Sequence, residues 1–147
     1  MLGRYKCSVD SKNRICIPHK FREKLDGQCV ISKDLSKKCL NLYSLPEWGK
    51  FTERIEQLPT AEEEMDDMRM FIYSNSDEME IDSQGRIVLN QIICKNTCIL
   101  SENEVVIIGH NNHAKIWSAS EWEKIEEFLN TEKRRTEINM SLKEKKF

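Results

Sequence analysis

Asp10-Ser11-Lys12-Asn13-Arg14 and Asp82-Ser83-Gln84-Gly85-Arg86 are one pentapeptide written twice, 72 positions apart in a chain of 147 residues. Ile15-Cys16-Ile17 follows the first copy and Ile87-Val88-Leu89 the second, and β-branched runs of this kind read as strands. Repetition at a long fixed period marks a chain built by doubling one small unit. It also sets two arginines, Arg14 and Arg86, at equivalent positions.

The repetition continues downstream. Leu42-Tyr43-Ser44-Leu45-Pro46-Glu47-Trp48 is answered by Ile116-Trp117-Ser118-Ala119-Ser120-Glu121-Trp122, at an offset of 74 rather than 72. Each stretch reads as a strand ending in an aromatic, then a Ser-x-x-Glu capping box. In such a box the hydroxyl and the carboxylate each take one free backbone N–H. Trp48, Phe51 and Ile55 are spaced to form one buried helix stripe, as are Trp122, Ile125 and Leu129.

Around the first pentapeptide, Tyr5–Val9 reads as a strand, Asp10–Asn13 as a tight turn and Arg14–Ile17 as the return strand. Aspartate can bond its own downstream amides, and Gly85 supplies positive φ at no steric cost. Asn13 replaces that glycine with the next most tolerant residue of the left-handed region. Asp10, Asn13, Asp82 and Gly85 are therefore the turn-shaping residues. Pro18 opens a short helix through Leu25, a position where the missing N–H is harmless. Cys29–Ser32 and Cys39–Tyr43 read as strands, followed by a helix from Ser44 to Gln57.

Thr60 and Glu63 predict another capping box, opening a helix with Met65, Met68 and Ile72 on one side. Its acidic residues Glu62, Glu63, Glu64, Asp66 and Asp67 sit where the helix dipole favours negative charge. In the second copy Asn90-Gln91-Ile92-Ile93-Cys94 stands where the first has Pro18-His19-Lys20-Phe21-Arg22, so its short helix is degraded. Val105–Ile108 is apolar throughout, as in a strand covered on both faces. The predicted organisation is a first repeat over 1–57, a linking helix over 58–76, a second repeat over 77–130 and a fraying basic tail over 131–147.

No stretch approaches the roughly 20 apolar residues of a membrane span, and the N-terminus lacks the apolar centre of a signal peptide. A cytoplasmic protein without a membrane partner is expected. The six cysteines include no Cys-x-x-Cys pair and read as small buried hydrophobes rather than metal ligands. His110 and His113 read as part of a polar loop, so neither a metal nor a cofactor is expected. The net charge of −2 conceals a gradient, with +6 over residues 1–38, −8 over 39–81 and balance thereafter. A nucleic-acid binder needs a basic face rather than a basic total.

Paired aspartates in an internal repeat raise the possibility of an aspartic protease. Those enzymes need glycine two residues after the aspartate, where this chain has Lys12 and Gln84, and a nearby arginine would hold each carboxylate ionised. No other catalytic constellation is present, so no enzymatic activity is expected. A position flanking a turn tolerates almost any polar residue, which leaves the two arginines unexplained by structure alone. A guanidinium held on a rigid hairpin can grip a guanine edge or a phosphate.

Asp-x-x-Gly-Arg in duplicate, with Ile-Pro-x-x-Phe-Arg-Glu-x-Leu and Tyr-x-x-x-Glu-Trp, resembles the MraZ family of bacterial transcriptional regulators, in the AbrB/MazE-like superfamily. The resemblance runs from Met1 to about Leu129. It implies an α+β, β-rich fold of two tandem AbrB-like swapped-hairpin repeats forming a small intertwined β-barrel with flanking helices. It further implies a nucleoid-associated ring-shaped homo-oligomer that binds direct repeats of double-stranded promoter DNA at the division and cell-wall gene cluster. DNA contact then falls on Arg14 and Arg86, with Lys12 and Gln84 as neighbours at the turn tips. Asn13 and Asn90 depart from the family pattern, which shifts the expected contact toward the first repeat. The alternative within the superfamily is an antitoxin-like protein-interaction module.

Overall fold

The outer strands mix exposed and half-buried positions, and the strands at the centre of the larger sheet are buried along nearly their whole length. The computed structural model describes all residues, Met1–Phe147. In chain order the elements are β1 (Arg4–Ser8), β2 (Arg14–Cys16), α1 (His19–Arg22), β3 (Gln28–Lys33), β4 (Leu40–Tyr43), α2 (Leu45–Glu56) and α3 (Glu63–Ser74). The second half supplies β5 (Ser76–Glu80), β6 (Arg86–Val88), α4 (Ile99–Glu102), β7 (Glu104–Gly109), β8 (Ala114–Ser118), α5 (Ala119–Leu129) and α6 (Glu132–Glu144). No helix is long and apolar enough to cross a membrane.

The strands form a six-stranded antiparallel sheet, ordered β1-β7-β8-β4-β3-β5, and a separate ladder of β2 with β6. The larger order reads the same from either end once the halves are exchanged, so a pseudo-two-fold axis runs between β4 and β8. Each half sends its first strand to the other half: β1 pairs with β7, and β5 pairs with β3. The predicted hairpin is thus corrected in one respect. The Asp10 turn joins strands in different sheets, and each strand finds its ladder partner in the opposite repeat.

Registers locate where the halves diverged. Ile15 faces Ile87, 72 positions on. Gln28 pairs with Glu80 as Glu104 pairs with Ser8, an offset of 76. Asn41 faces Lys115, 74 positions on. Four residues therefore entered the second half between Leu89 and β7, and two left the loop before β8. Asn90, which opens the segment leading into that insertion, accepts through Oδ1 from the amides of Ile92 and Ile93 at 2.7 and 3.4 Å, and the segment forms turns rather than an α-helix.

The core lies between the sheets. Ile15 and Ile87 are each 1% exposed, packed with Ile17, Phe21, Leu40, Leu42, Leu89 and Ile116. Each such side chain contributes roughly 1.5–3 kcal/mol on full burial. Cys29, Cys39 and Cys94 join the buried set as small hydrophobes, whereas Cys16 and Cys98 are exposed. Val105, Val106 and Ile107 of β7 are buried, as their unbroken apolar run predicts.

Helix ends refine the sequence reading. Ser44 Oγ and Ser118 Oγ accept from the amides of Glu47 and Glu121, each at 3.3 Å. The two carboxylates turn instead to Lys50 and Lys124, so each box is half made. Pro18 caps α1 from outside rather than occupying its first turn, and α1 ends at Arg22 instead of Leu25. The Thr60–Glu63 box does not form, since α3 starts after Glu62 with no side-chain cap. Arg69 of α3 instead fixes this corner, donating to the carbonyls of Ile55, Leu58 and Pro59 at 3.0, 2.7 and 3.2 Å. A cation on the carbonyls at and beyond the end of α2 offsets the negative end of its dipole.

The expectation of a fraying tail is also corrected: residues 132–144 are helical. Thr131 Oγ1 accepts from the Arg134 amide at 3.3 Å, and Arg134 packs over Phe128 while pairing with Glu137. Local capping and i,i+3 pairing sustain a helix that buries no residue of its own.

Candidate nucleic-acid interface

Each pentapeptide folds around its aspartate. Asp10 Oδ1 accepts from the amides of Lys12 and Arg14, both at 2.9 Å, and Oδ2 accepts from Arg14 Nε at 2.8 Å. Asp82 repeats the set with Gln84, Arg86 and Arg86 Nε, all at 2.9 Å. The third residue after each aspartate must turn left-handed: Asn13 has φ of 58° and Gly85 of 80°. Asparagine thus preserves the turn, as its tolerance of that region predicts.

Both carboxyls are held below the usual aspartate range, chiefly by the backbone N–H of Arg14 and of Arg86, then by the guanidinium hydrogen bond. Neither is the raised-pKa partner that a proton-sharing carboxylate pair requires. Each arginine is gripped along its Nε edge and keeps its two terminal amino groups free of protein acceptors.

The ladder then brings the turns together. The Ile17 amide donates to Gly85 O at 2.8 Å, and the Leu89 amide donates to Asn13 O at 2.7 Å, so each turn is pinned by the other repeat. Arg14 faces Val88 and Cys16 faces Arg86. These four side chains share the outer side of the ladder, because Ile15 and Ile87 fill the inner side. Arg14 and Arg86 stand at diagonal corners, with Cα atoms roughly 7–8 Å apart in such a pair. Lys12 and Gln84 are exposed at the two turn tips. All eight residues selected from the sequence therefore belong to one constellation.

Three further residues of this face escaped the sequence reading. Val88, 57% exposed, and Cys16 lie between the arginines, a placement fixed by a ladder register that no local pattern reveals. Arg22 of α1 packs onto the second turn: a Cβ on Gly85 would lie 2.3 Å from Arg22 Nη1. The sequence signal was the glycine itself, present in the copy that faces Arg22 and absent from the other.

The largest concavity, about 830 Å³, lies against α2 and α3, away from the turns. Lys115 Nζ on its floor donates to Asp34 Oδ1 at 3.0 Å and to Asn41 Oδ1 at 2.8 Å. These polar groups satisfy one another. His113 is no plain loop residue: its ring stacks on Tyr43 at 4.9 Å between centroids. Burial, then the nearby charges of Lys115 and His110, push its pKa down to about 4.

Fold and site together define a duplicated α+β protein whose halves exchange strands and set two aspartate-braced arginines on one exposed ladder. The family model described as "MraZ protein, putative antitoxin-like" matches residues 1–70 and 72–143. The chain is 39% identical over 123 residues to "Transcriptional regulator MraZ" of Alkaliphilus oremlandii, covering 84% of each chain. It is 39% identical over 124 residues to the protein of that name from Caldicellulosiruptor bescii, covering 84% of this chain and 85% of that one. Against the Clostridium tetani protein of the same name it is 37% identical over 123 residues, covering 84% of each. The chain belongs to the MraZ family.

Proposed function

We propose that this protein is a transcriptional regulator that binds double-stranded DNA sequence-specifically, reading direct promoter repeats as a ring-shaped homo-oligomer. One observation carries the reading: Arg14 and Arg86, each braced by its own aspartate, share the exposed side of a two-stranded ladder. A β-ribbon fits the major groove, about 12 Å wide, and a guanidinium with two free amino groups matches the O6 and N7 acceptors of guanine. Bracing the Nε edge fixes the fork before binding, so less freedom is lost on contact. Lys12 and Gln84 at the tips are placed to meet backbone or neighbouring bases.

In this reading residues 1–57 and 77–130 act as the two repeats of an intertwined barrel, 58–76 joins them and 131–147 is a basic extension. The family resemblance points to the division and cell-wall gene cluster as the target, and so to a cytoplasmic, nucleoid-associated protein. One guanidinium–guanine pair supplies about 1–3 kcal/mol of discrimination. Several copies acting at once raise the effective concentration of the rest.

The test is a gel-shift titration with duplexes selected from a random pool. Arg14→Ala should abolish specific retention while leaving helix content and oligomer size intact, and unaltered affinity would overturn the reading. An antitoxin-like interaction module is the second reading. The apolar side chains Phe128, Ile138 and Met140, exposed on α5 and α6, favour it. Salt separates the two, because neutralising Z phosphates gives a slope near −0.9Z in log K against log salt.

A further inference from the structure

We propose that Arg22 is a third nucleic-acid contact, a phosphate-gripping guanidinium that the first repeat places beside the turn of the second. The inference rests on the DNA-binding reading above and extends it to a residue outside the pentapeptides.

Three arginines have an Nε shielded from solvent and without a hydrogen-bond partner: Arg22, Arg69 and Arg134. Arg69 satisfies its terminal amino groups on three carbonyls, and Arg134 pairs with Glu137 over the Phe128 ring. Arg22 has neither an acid nor a carbonyl. The end of its side chain fills the place a Cβ on Gly85 would take, with Nη1, Cζ and Cδ at 2.3, 2.6 and 2.8 Å from that point. A half-buried cation left without an anion is costly, and its arrangement is explained when an external anion completes it. The position is next to Arg86 in sequence, on the turn that presents Gln84.

The surroundings favour phosphate over a base edge. Lys20 and Lys24 are exposed on and just after α1, and the one carboxylate between them, Glu23, lies 3.1 Å from His19 Nε2. Two lysines against one acid leave a weakly positive field around a guanidinium that is itself held by packing. Arginine and lysine contacts to backbone oxygens fix register and orientation without reading sequence. The equivalent position in the second repeat is Cys94, which is buried. The first turn therefore has no counterpart contact, and its own tip residue, Lys12, is the cation there. Glycine at 85 leaves room for the end of Arg22, which any side chain there would displace, whereas Asn13 has no such neighbour.

The experiment compares salt titrations of the wild-type chain, Arg22→Gln and Arg22→Lys on a pool-selected duplex and an unrelated duplex. Arg22→Gln should flatten the slope by about 0.9 for each subunit engaged. It should weaken both duplexes by the same factor, leaving their affinity ratio unchanged, and Arg22→Lys should restore the slope. Wild-type binding with an unchanged Arg22→Gln slope overturns the proposal alone, as does a changed affinity ratio. Wild-type indifference to either duplex overturns the DNA-binding reading with it. A readout without substitution guards against misfolded variants: bound duplex should shield Arg22 from phenylglyoxal in the unmodified chain. Undiminished labelling of Arg22 in a complex that retains DNA also sinks the idea.

Discussion

The helix pair that closes the first repeat buries apolar side chains of its own, and the pair that closes the second buries none. In the first, Ile55 is buried, Met65, Met68 and Ile72 face the same cleft, and Arg69 stitches α3 to the end of α2. In the second, α5 buries no residue, Phe128 is 50% exposed and α6 runs on as a largely polar helix. The pentapeptide turns behave oppositely: their hydrogen bonds match to within 0.1 Å between copies. Duplication kept the parts that meet at the axis and released the parts that do not. Residues near a dyad contact their own counterparts, so drift there disturbs both halves at once.

The largest effect should come from the one axial pair that is unlike. Asn41 faces Lys115, whose ammonium is paired with Asp34, both side chains being 16% exposed. Lys115→Ala should cost about 2–3 kcal/mol in urea unfolding, since it strands a partly buried carboxylate. Lys115→Asn should fall between that variant and wild type, because it restores symmetry without restoring charge.

Gly85→Asn against Asn13→Gly comes next. The first introduces a Cβ into the Arg22 guanidinium and should destabilise by about 1–3 kcal/mol. The second should stay within about 1 kcal/mol, its cost being backbone freedom alone. Equal effects would show that Arg22 does not distinguish the turns.

The aspartates should behave alike. Their pKa values are depressed in the folded chain, so the stabilisation they give is present at neutral pH and disappears as the pH falls through the folded values, below 3.8. Exchange of the Lys12, Arg14, Gln84 and Arg86 amides should then quicken together, and an effect confined to one turn would break the equivalence. The smallest change should follow truncation after Asn130. Loss of α6 should remove helical signal yet shift stability by no more than about 0.5 kcal/mol, because no residue of that helix is buried.

The pentapeptides, the capping serines and the strand runs were legible because each rests on local chemistry: an aspartate bonding its own amides, a hydroxyl capping its own helix, a β-branched run. Strand exchange was not legible from those patterns, since Tyr5 pairs with Ile107 across a hundred residues and no spacing encodes it; it entered only through the family resemblance. Fraying of residues 132–144 was misjudged because few apolar residues suggested no packing, whereas capping and ion pairing suffice for a surface helix. The Thr60 box failed because the reach of Arg69 decided that corner instead. The candidate interface was half visible: its arginines stand in the repeats, but Arg22 reaches the second turn only through the fold.

Ile15 set against Ile87 makes the chain nearly its own image under rotation. Half a revolution about that point exchanges Arg14 with Arg86, so under the proposed function almost the same surface would return to a duplex. A tandem promoter element has a direction, and a surface blind to direction could settle on it either way round. Polarity must then reside in the few places where the halves disagree: Lys12 against Gln84, Asn13 against Gly85, Arg22 against Cys94. Those mismatches are the compass by which neighbouring subunits would all come to point the same way.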